Sequence, residues 1–503
     1  MKKLKLSSLI CSSLFVLASC QNFTPNENNN ETENSKINSV ISSIEVKEIN
    51  SSNVSLSNID SAIIVSALTG GDIEKPNKQK LYFSFDEKEN NLLGNELSFG
   101  ESNLTKSIDK RHHKTLKEFL KEKEMVKKAY LSGKKVYSSL KTSESILKEG
   151  KEIKFNVLKD DEHYDKKPSI LYKISKKANF WIDKEVVGTL DEKAINKSIK
   201  YWDEKAYPIV TSKFGVAPLP PNDVDGDEKI NLFITPLKEQ GLFGYFDSTD
   251  VINEDNSPYS NKTDMLYINS NVFKKGEVNE DAANGTLIHE FQHMVNFNNK
   301  VTLRLNNKKE PIYEDRWLDE GMSTYAEQLG GFGLPKNDLF SASYLSDFFD
   351  NPSKVQVITN DSGLNYGASL LFVLYLVEQY GEGVLNKLTI SDKGGIANVE
   401  AVTGKEFNKL FRDWGTALLL SGSGKNKKFD FKSVNLHKSY GQYNLDGINL
   451  SNIVENPNKK IGYNMFNWSI NYLKINNLKK ANLNMNIKHN NTGVLSNNLV
   501  KLK

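Results

Sequence analysis

The stretch His289-Glu290-Phe291-Gln292-His293 limits what this chain can fold into more than any other. Residues four apart on a helix lie on one face, one turn above each other. A helix here would offer the imidazoles of His289 and His293 to one metal ion. Glu290, one step round, could reach a water on that metal. The neighbours Leu287, Ile288, Met294, Val295 and Phe297 suit such a helix, no proline interrupts it, and Asn284 is a candidate N-cap. Two histidines on an ordinary surface helix would give the same letters. A second segment, Trp317-Leu318-Asp319-Glu320-Gly321-Met322-Ser323-Thr324-Tyr325-Ala326-Glu327, weighs against that. It too reads as a helix, and Glu320 could bring a carboxylate to the same ion. Two imidazoles and one carboxylate leave a fourth position open, as a catalytic zinc site requires. Taken alone, Glu320 reads as an exposed first-turn glutamate favoured by the helix dipole.

The two stretches, HEFQHMVNF and RWLDEGMSTYAE, resemble the gluzincin zinc peptidases. They are similar in particular to the hyicolysin-type neutral zinc metallopeptidases of bacteria. The resemblance implies an α+β chain with a thermolysin-like catalytic domain. It implies Zn2+ bound by His289, His293 and Glu320, Glu290 as general base, and protein or peptide substrates. Glu320 stands farther from His293 than the third ligand does in many gluzincins. The extra residues are expected in a loop, in the Asn- and Lys-rich stretch Asn296 to Lys309. By the same resemblance the strand-like run Asp264 to Asn269 borders the active site as a sheet edge; a plain core strand is the alternative. Related peptidases often carry a tyrosine whose hydroxyl steadies the oxyanion, and Tyr366 is the candidate here. One more helix-start tyrosine among the chain's 20 is the plain reading.

Asp223, Asp225 and Asp227 stand at alternate positions and could gather oxygen ligands for Ca2+. The EF-hand pattern fails, because Glu228 occupies its sixth position and Ile234 its twelfth. A turn at Asp225-Gly226 and a turn that also holds calcium both remain open. This stretch and Gly244-Tyr245-Phe246-Asp247 also resemble hyicolysin-type sequences.

The first 19 residues read as a lipoprotein signal peptide: three lysines, then an apolar run from Leu9 to Ala18. The run is too short for a stable transmembrane helix. Leu17-Ala18-Ser19-Cys20 looks like a bacterial lipobox, which implies a lipid on Cys20 and a site in the cell envelope, or secretion if the lipobox is not used. Lys2, Lys3 and Lys5 account for the whole excess of 66 Lys and Arg over 63 Asp and Glu. The mature chain is therefore near neutral, which gives no argument for nucleic acid as a partner. Cys11 and Cys20 are the only cysteines, so the mature chain can form no internal disulfide.

Residues 20–38 are Asn-, Glu- and Ser-rich and read as a disordered tether. Alternating runs such as Lys80 to Phe85 and Ala178 to Ile182 point to an N-terminal accessory region over 39–178, partly β. The catalytic domain is expected over 179–424, with helices opened by capping boxes at Thr189 to Glu192 and Thr403 to Glu406. A small β appendage is expected over 425–503. The activity expected is endopeptidase. Two rivals stand: a zinc aminopeptidase, against which the chain lacks a GAMEN-like strand, and an inactive surface adhesin lipoprotein, against which Glu290 is intact.

Overall fold

The computed structural model describes residues 43–502 apart from internal stretches, the longest being 86–96, 99–115 and 133–146. The signal peptide, Cys20, the tether and Asp223 lie outside the described residues. The fold is α+β. Its central six-stranded sheet is built from β1 (Glu152–Asp160), β2 (His163–Ile174), β3 (Ala178–Asp183), β4 (Ile230–Thr235), β5 (Gly244–Phe246) and β6 (Met265–Asn269), in the order β5-β6-β4-β3-β2-β1. β3, β4 and β6 run parallel; β1, β2 and β5 are antiparallel to their neighbours.

Successive side chains of a strand point to opposite faces. Phe180, Ile182, Leu232, Ile234, Leu266 and Ile268 accordingly enter the main core with the helices. Trp181, Phe233, Met265 and Tyr267 enter a smaller core with Phe155, Val157 and Leu171. A sheet covered on both faces needs strands that are apolar throughout, which is why β3, β4 and β6 are buried along their whole length.

The elements that carry the site are helices. α1 (Leu116–Leu131) lies over the cleft described below, with Phe119 edge-on to Tyr313. α2 (Glu280–Phe297) carries the HEFQH stretch, α3 (Arg316–Gly330) the RWLDEG stretch, and α4 (Tyr366–Tyr380) packs behind α3. Asn279, not Asn284, caps α2, its side chain accepting from Ala282 N–H. The helix is therefore longer at its start than its apolar run suggests. The expected loop over 296–309 is also corrected. α2 runs directly into a π-turn at Asn298–Thr302 and a helical turn at Leu303–Asn306. No Pro or Gly interrupts this stretch, and Val301 is buried against Val126 and Val251, so polar composition does not stop the helix.

The capping boxes are corrected too. Asp191 rather than Thr189 caps Glu192–Tyr201. Thr403 closes the helix Gly395–Thr403, and Glu406 starts Phe407–Leu420 without a side-chain cap.

Strand pairing cuts across the expected divisions 39–178 and 425–503. Ser61–Thr69 lies between Val494–Leu502 and Ser469–Ile475 in one five-stranded sheet. Lys78–Phe85 lies between Asn484–His489 and Ile461–Phe466 in a second. The two ends of the chain thus share a two-sheet unit with its own core, including Leu81, Phe83, Tyr463, Leu473 and Ile487. The other face of the first sheet joins the main core through Ile63, Val65 and Ile470. Residues 152–174, expected in the accessory region, pair into the central sheet. Alternating patterns identify strands but not their partners, which here are hundreds of residues away. Among the described residues no helix is long and apolar enough to cross a membrane.

One contact sets the distance between α3 and α4. A Cβ on Gly321 would lie 2.9 Å from Ser369 O and 2.9 Å from Val373 Cγ2. Gly321→Ala must push the helices apart beside Glu320. It is expected to lower the unfolding free energy by about 1–3 kcal/mol, read from denaturant melts. A melt like the wild type's would mean that this contact yields without cost.

Candidate metal centre

α2 and α3 pack side by side and face their polar positions toward each other. His289 is fully buried, Glu290 and Glu320 nearly so. His289 Nε2 lies 3.2 Å from His293 Nε2 and 3.3 Å from Glu320 Oε2. The third edge, His293 Nε2 to Glu320 Oε2, is 3.4 Å. Ligands about 2.0–2.1 Å from a tetrahedral ion stand ~3.3 Å apart. The triangle therefore has the size and the donor chemistry to hold a tetrahedral metal ion. Among the described residues this is the one group of three His, Cys, Asp or Glu side chains that could hold a metal.

The far side of each ring is held by a carboxylate. His289 Nδ1 is 2.6 Å from Glu327 Oε1, and His293 Nδ1 is 2.9 Å from Asp319 Oδ2. Donation from each Nδ1–H leaves the Nε2 lone pair toward the ligand cluster. Asp319 is steadied in turn by Asn296, whose amide donates to Oδ1 at 2.6 Å. Burial pulls the His289 imidazole toward neutrality, but Glu320 and Glu327 outweigh it and raise its pKa to about 9. His293 behaves alike, burial opposed by Asp319 and Glu320, with a net rise. For Glu320, burial disfavours the anion, yet the two imidazoles hold its carboxyl well below the usual range. The negative field that favours protons on these rings is the field that draws a divalent cation.

Glu290 faces the cleft beside this cluster, and its Oε2 accepts from Phe246 N–H at 2.9 Å. That N–H comes from β5, the edge of the sheet. The expectation for Asp264 to Asn269 is thus corrected: β6 is interior, paired with β4 on one side and β5 on the other. The short GYF run supplies the edge because it adds antiparallel outside β6. Tyr245, Phe246 and Asp247 line the cleft. The corner after β5 is fixed by tyrosines: Tyr164 donates to Asp247 at 2.9 Å and Tyr267 to Asp250 at 2.6 Å. Burial, with Asp247 as neighbour, raises the pKa of the Asp250 carboxyl well above the ordinary range.

The structure brings His289, His293, Glu320 and Glu290 together. Tyr366 is buried at the start of α4 and is not among the residues lining the cleft, whose tyrosines are Tyr164, Tyr245 and Tyr313. Of the aspartates, Asp225 accepts from Asn231 and Thr263, and Asp227 accepts from Asn179. Gly226 and Glu228 both take positive φ there, as a tight turn requires. The roles of Asp319 and Glu327 were not foreseen. Glu327 sits two turns beyond Glu320 and shares its face, a spacing that could have signalled it.

Glu327→Gln keeps the shape but weakens the acceptor behind His289. Zinc affinity is expected to fall about 10–100-fold, measured by competition with a chelating dye. Unchanged affinity would remove Glu327 from this support.

No family model matches the chain. A curated relative, the neutral metalloprotease ShpI of Staphylococcus hyicus, is 30% identical over 225 residues, covering 41% of this chain and 47% of the relative. The chain thus spans about half the length of the curated relative it matches. The match supports a metallopeptidase relationship.

Proposed function

We propose that this protein is a zinc-dependent endopeptidase of thermolysin-like, gluzincin type. The observation that carries the reading is the triangle of His289 Nε2, His293 Nε2 and Glu320 Oε2, sized for a tetrahedral zinc, with Glu290 beside it in the same cleft. The relationship to a neutral metalloprotease supports it.

A zinc ion held by these residues would supply a Lewis acid that polarises the scissile carbonyl and makes a water nucleophilic near neutral pH. Glu290 takes the proton from that water and passes it to the departing amine. Phe246 N–H holds the carboxylate in place for both transfers. The edge strand β5 offers an extended peptide main-chain partners. Such pairing is indifferent to chain ends, which favours internal bonds over N-terminal trimming. Tyr366 is no part of this reading. Attachment to the cell envelope through Cys20 is supported by the lysine-apolar-Cys run alone.

Mass spectrometry of casein digests tests the choice between rivals. Fragments from internal cuts are expected, abolished by a zinc chelator. Stepwise loss of N-terminal residues would mean an aminopeptidase. No products from a folded, zinc-loaded chain would favour the adhesin.

A further inference from the structure

Arg316 opens α3 one turn before the ligand Glu320. It is 3% exposed and lines the cleft. Its backbone N–H donates to Asn360 Oδ1 at 2.8 Å, and its Nη1 to Asn360 O at 3.1 Å. Nη2 is buried without a hydrogen-bond partner. Among the described residues no carboxylate is paired with this guanidinium.

A guanidinium stays charged in proteins, and a charge taken out of water without a counter-ion is costly. The other cations lining the cleft are accounted for. Lys300 is paired with Glu314 at 3.2 Å, and Lys121 lies exposed on α1. A single backbone carbonyl is a poor return for burying an arginine, because capping of the α3 entrance to Asn360 uses the backbone N–H and would survive any side chain. The unmet donor of Arg316 is Nη2, one arm of the planar guanidinium fork that matches a carboxylate.

Position says whose carboxylate. Side chains at i and i+4 share a helix face, so Arg316 and Glu320 serve one cleft. One turn rises ~5.4 Å and an extended peptide advances ~3.4 Å per residue. Resting on the peptidase reading, we propose that Arg316 is a specificity-determining residue that receives the carboxylate of a substrate residue flanking the scissile bond. The carboxylate is that of an Asp or Glu side chain or the substrate's free C-terminus. Both present the same two oxygens to the guanidinium.

Two pairs of labelled peptides separate the sources: Glu against Gln on either side of the cleaved bond, and a free against an amidated C-terminus. Hydrolysis is followed with the zinc-loaded wild-type chain, and binding by fluorescence anisotropy with the zinc-loaded Glu290→Gln chain. One carboxylate arm is expected to win by about 10-fold or more, in KM rather than kcat and in binding alike. The winning arm names the source. Arg316→Gln is expected to bring that ratio to about 1, and Arg316→Lys to restore part of it. Equal binding of acid and amide in both pairs overturns the proposal even if every peptide is cut, and this comparison needs no Arg316 variant to fold. A binding preference without any cleavage would overturn the peptidase reading and leave the Arg316 subsite standing.

Discussion

Glu290→Gln is expected to hold zinc as the wild type does and to lose turnover by about 10³-fold or more. The glutamine oxygen can still accept from Phe246 N–H, which now binds Glu290 Oε2 at 2.9 Å, so the side chain keeps its place. Neither His289, His293 nor Glu320 is touched, so the ligand triangle stays. On the proposed reading, what is lost is the anionic oxygen that takes a proton, and general base catalysis accounts for about 10²–10⁴-fold. Metal content by mass spectrometry and kcat on one preparation read both halves. Wild-type kcat in a zinc-loaded variant would remove Glu290 from the chemistry.

His293→Ala attacks the centre from the other side. Zinc held by several protein ligands is worth roughly 10–16 kcal/mol, so removing one of three is expected to cost about 3–5 kcal/mol, or about 10²–10⁴-fold in affinity. The variant also leaves Asp319 Oδ2 without the imidazole 2.9 Å away and Glu320 with one imidazole instead of two. Zinc is expected to be lost on dialysis, activity with it, and added zinc is expected to raise the melting temperature of the wild type but not of the variant. A variant that kept one tightly bound zinc would mean that the metal sits elsewhere.

What the sequence disclosed and what it hid follow from range. The helix of the HEFQH stretch was legible because its candidate ligands sit within five residues and its period is helical. Glu320 was legible because a second helix with a carboxylate near its start could meet the first. The support behind the ligands was not: Glu327 and Asp319 matter only once α3 is rotated against α2, and no local pattern gives that rotation. Arg316 read as part of a motif, and its burial with Nη2 unpartnered is a matter of packing that no local pattern gives. The edge strand was misplaced because β5 is three residues long and becomes an edge only by pairing outside β6. Likewise the strands at the two ends of the chain were visible as alternation, but their mutual pairing depends on contacts between residues such as Ile64 and Leu499. The loop expected at 296–309 failed for a local reason: asparagine and lysine are poor grounds for ending a helix when Val301 has a core to enter.

The most direct test adds zinc stepwise to metal-stripped protein while casein cleavage is followed. Turnover is expected to rise from zero in proportion to bound zinc and to level off at one ion per chain, set by His289, His293 and Glu320. Cleavage by the stripped protein, or a chain that takes up one zinc and cuts nothing, would contradict the assignment.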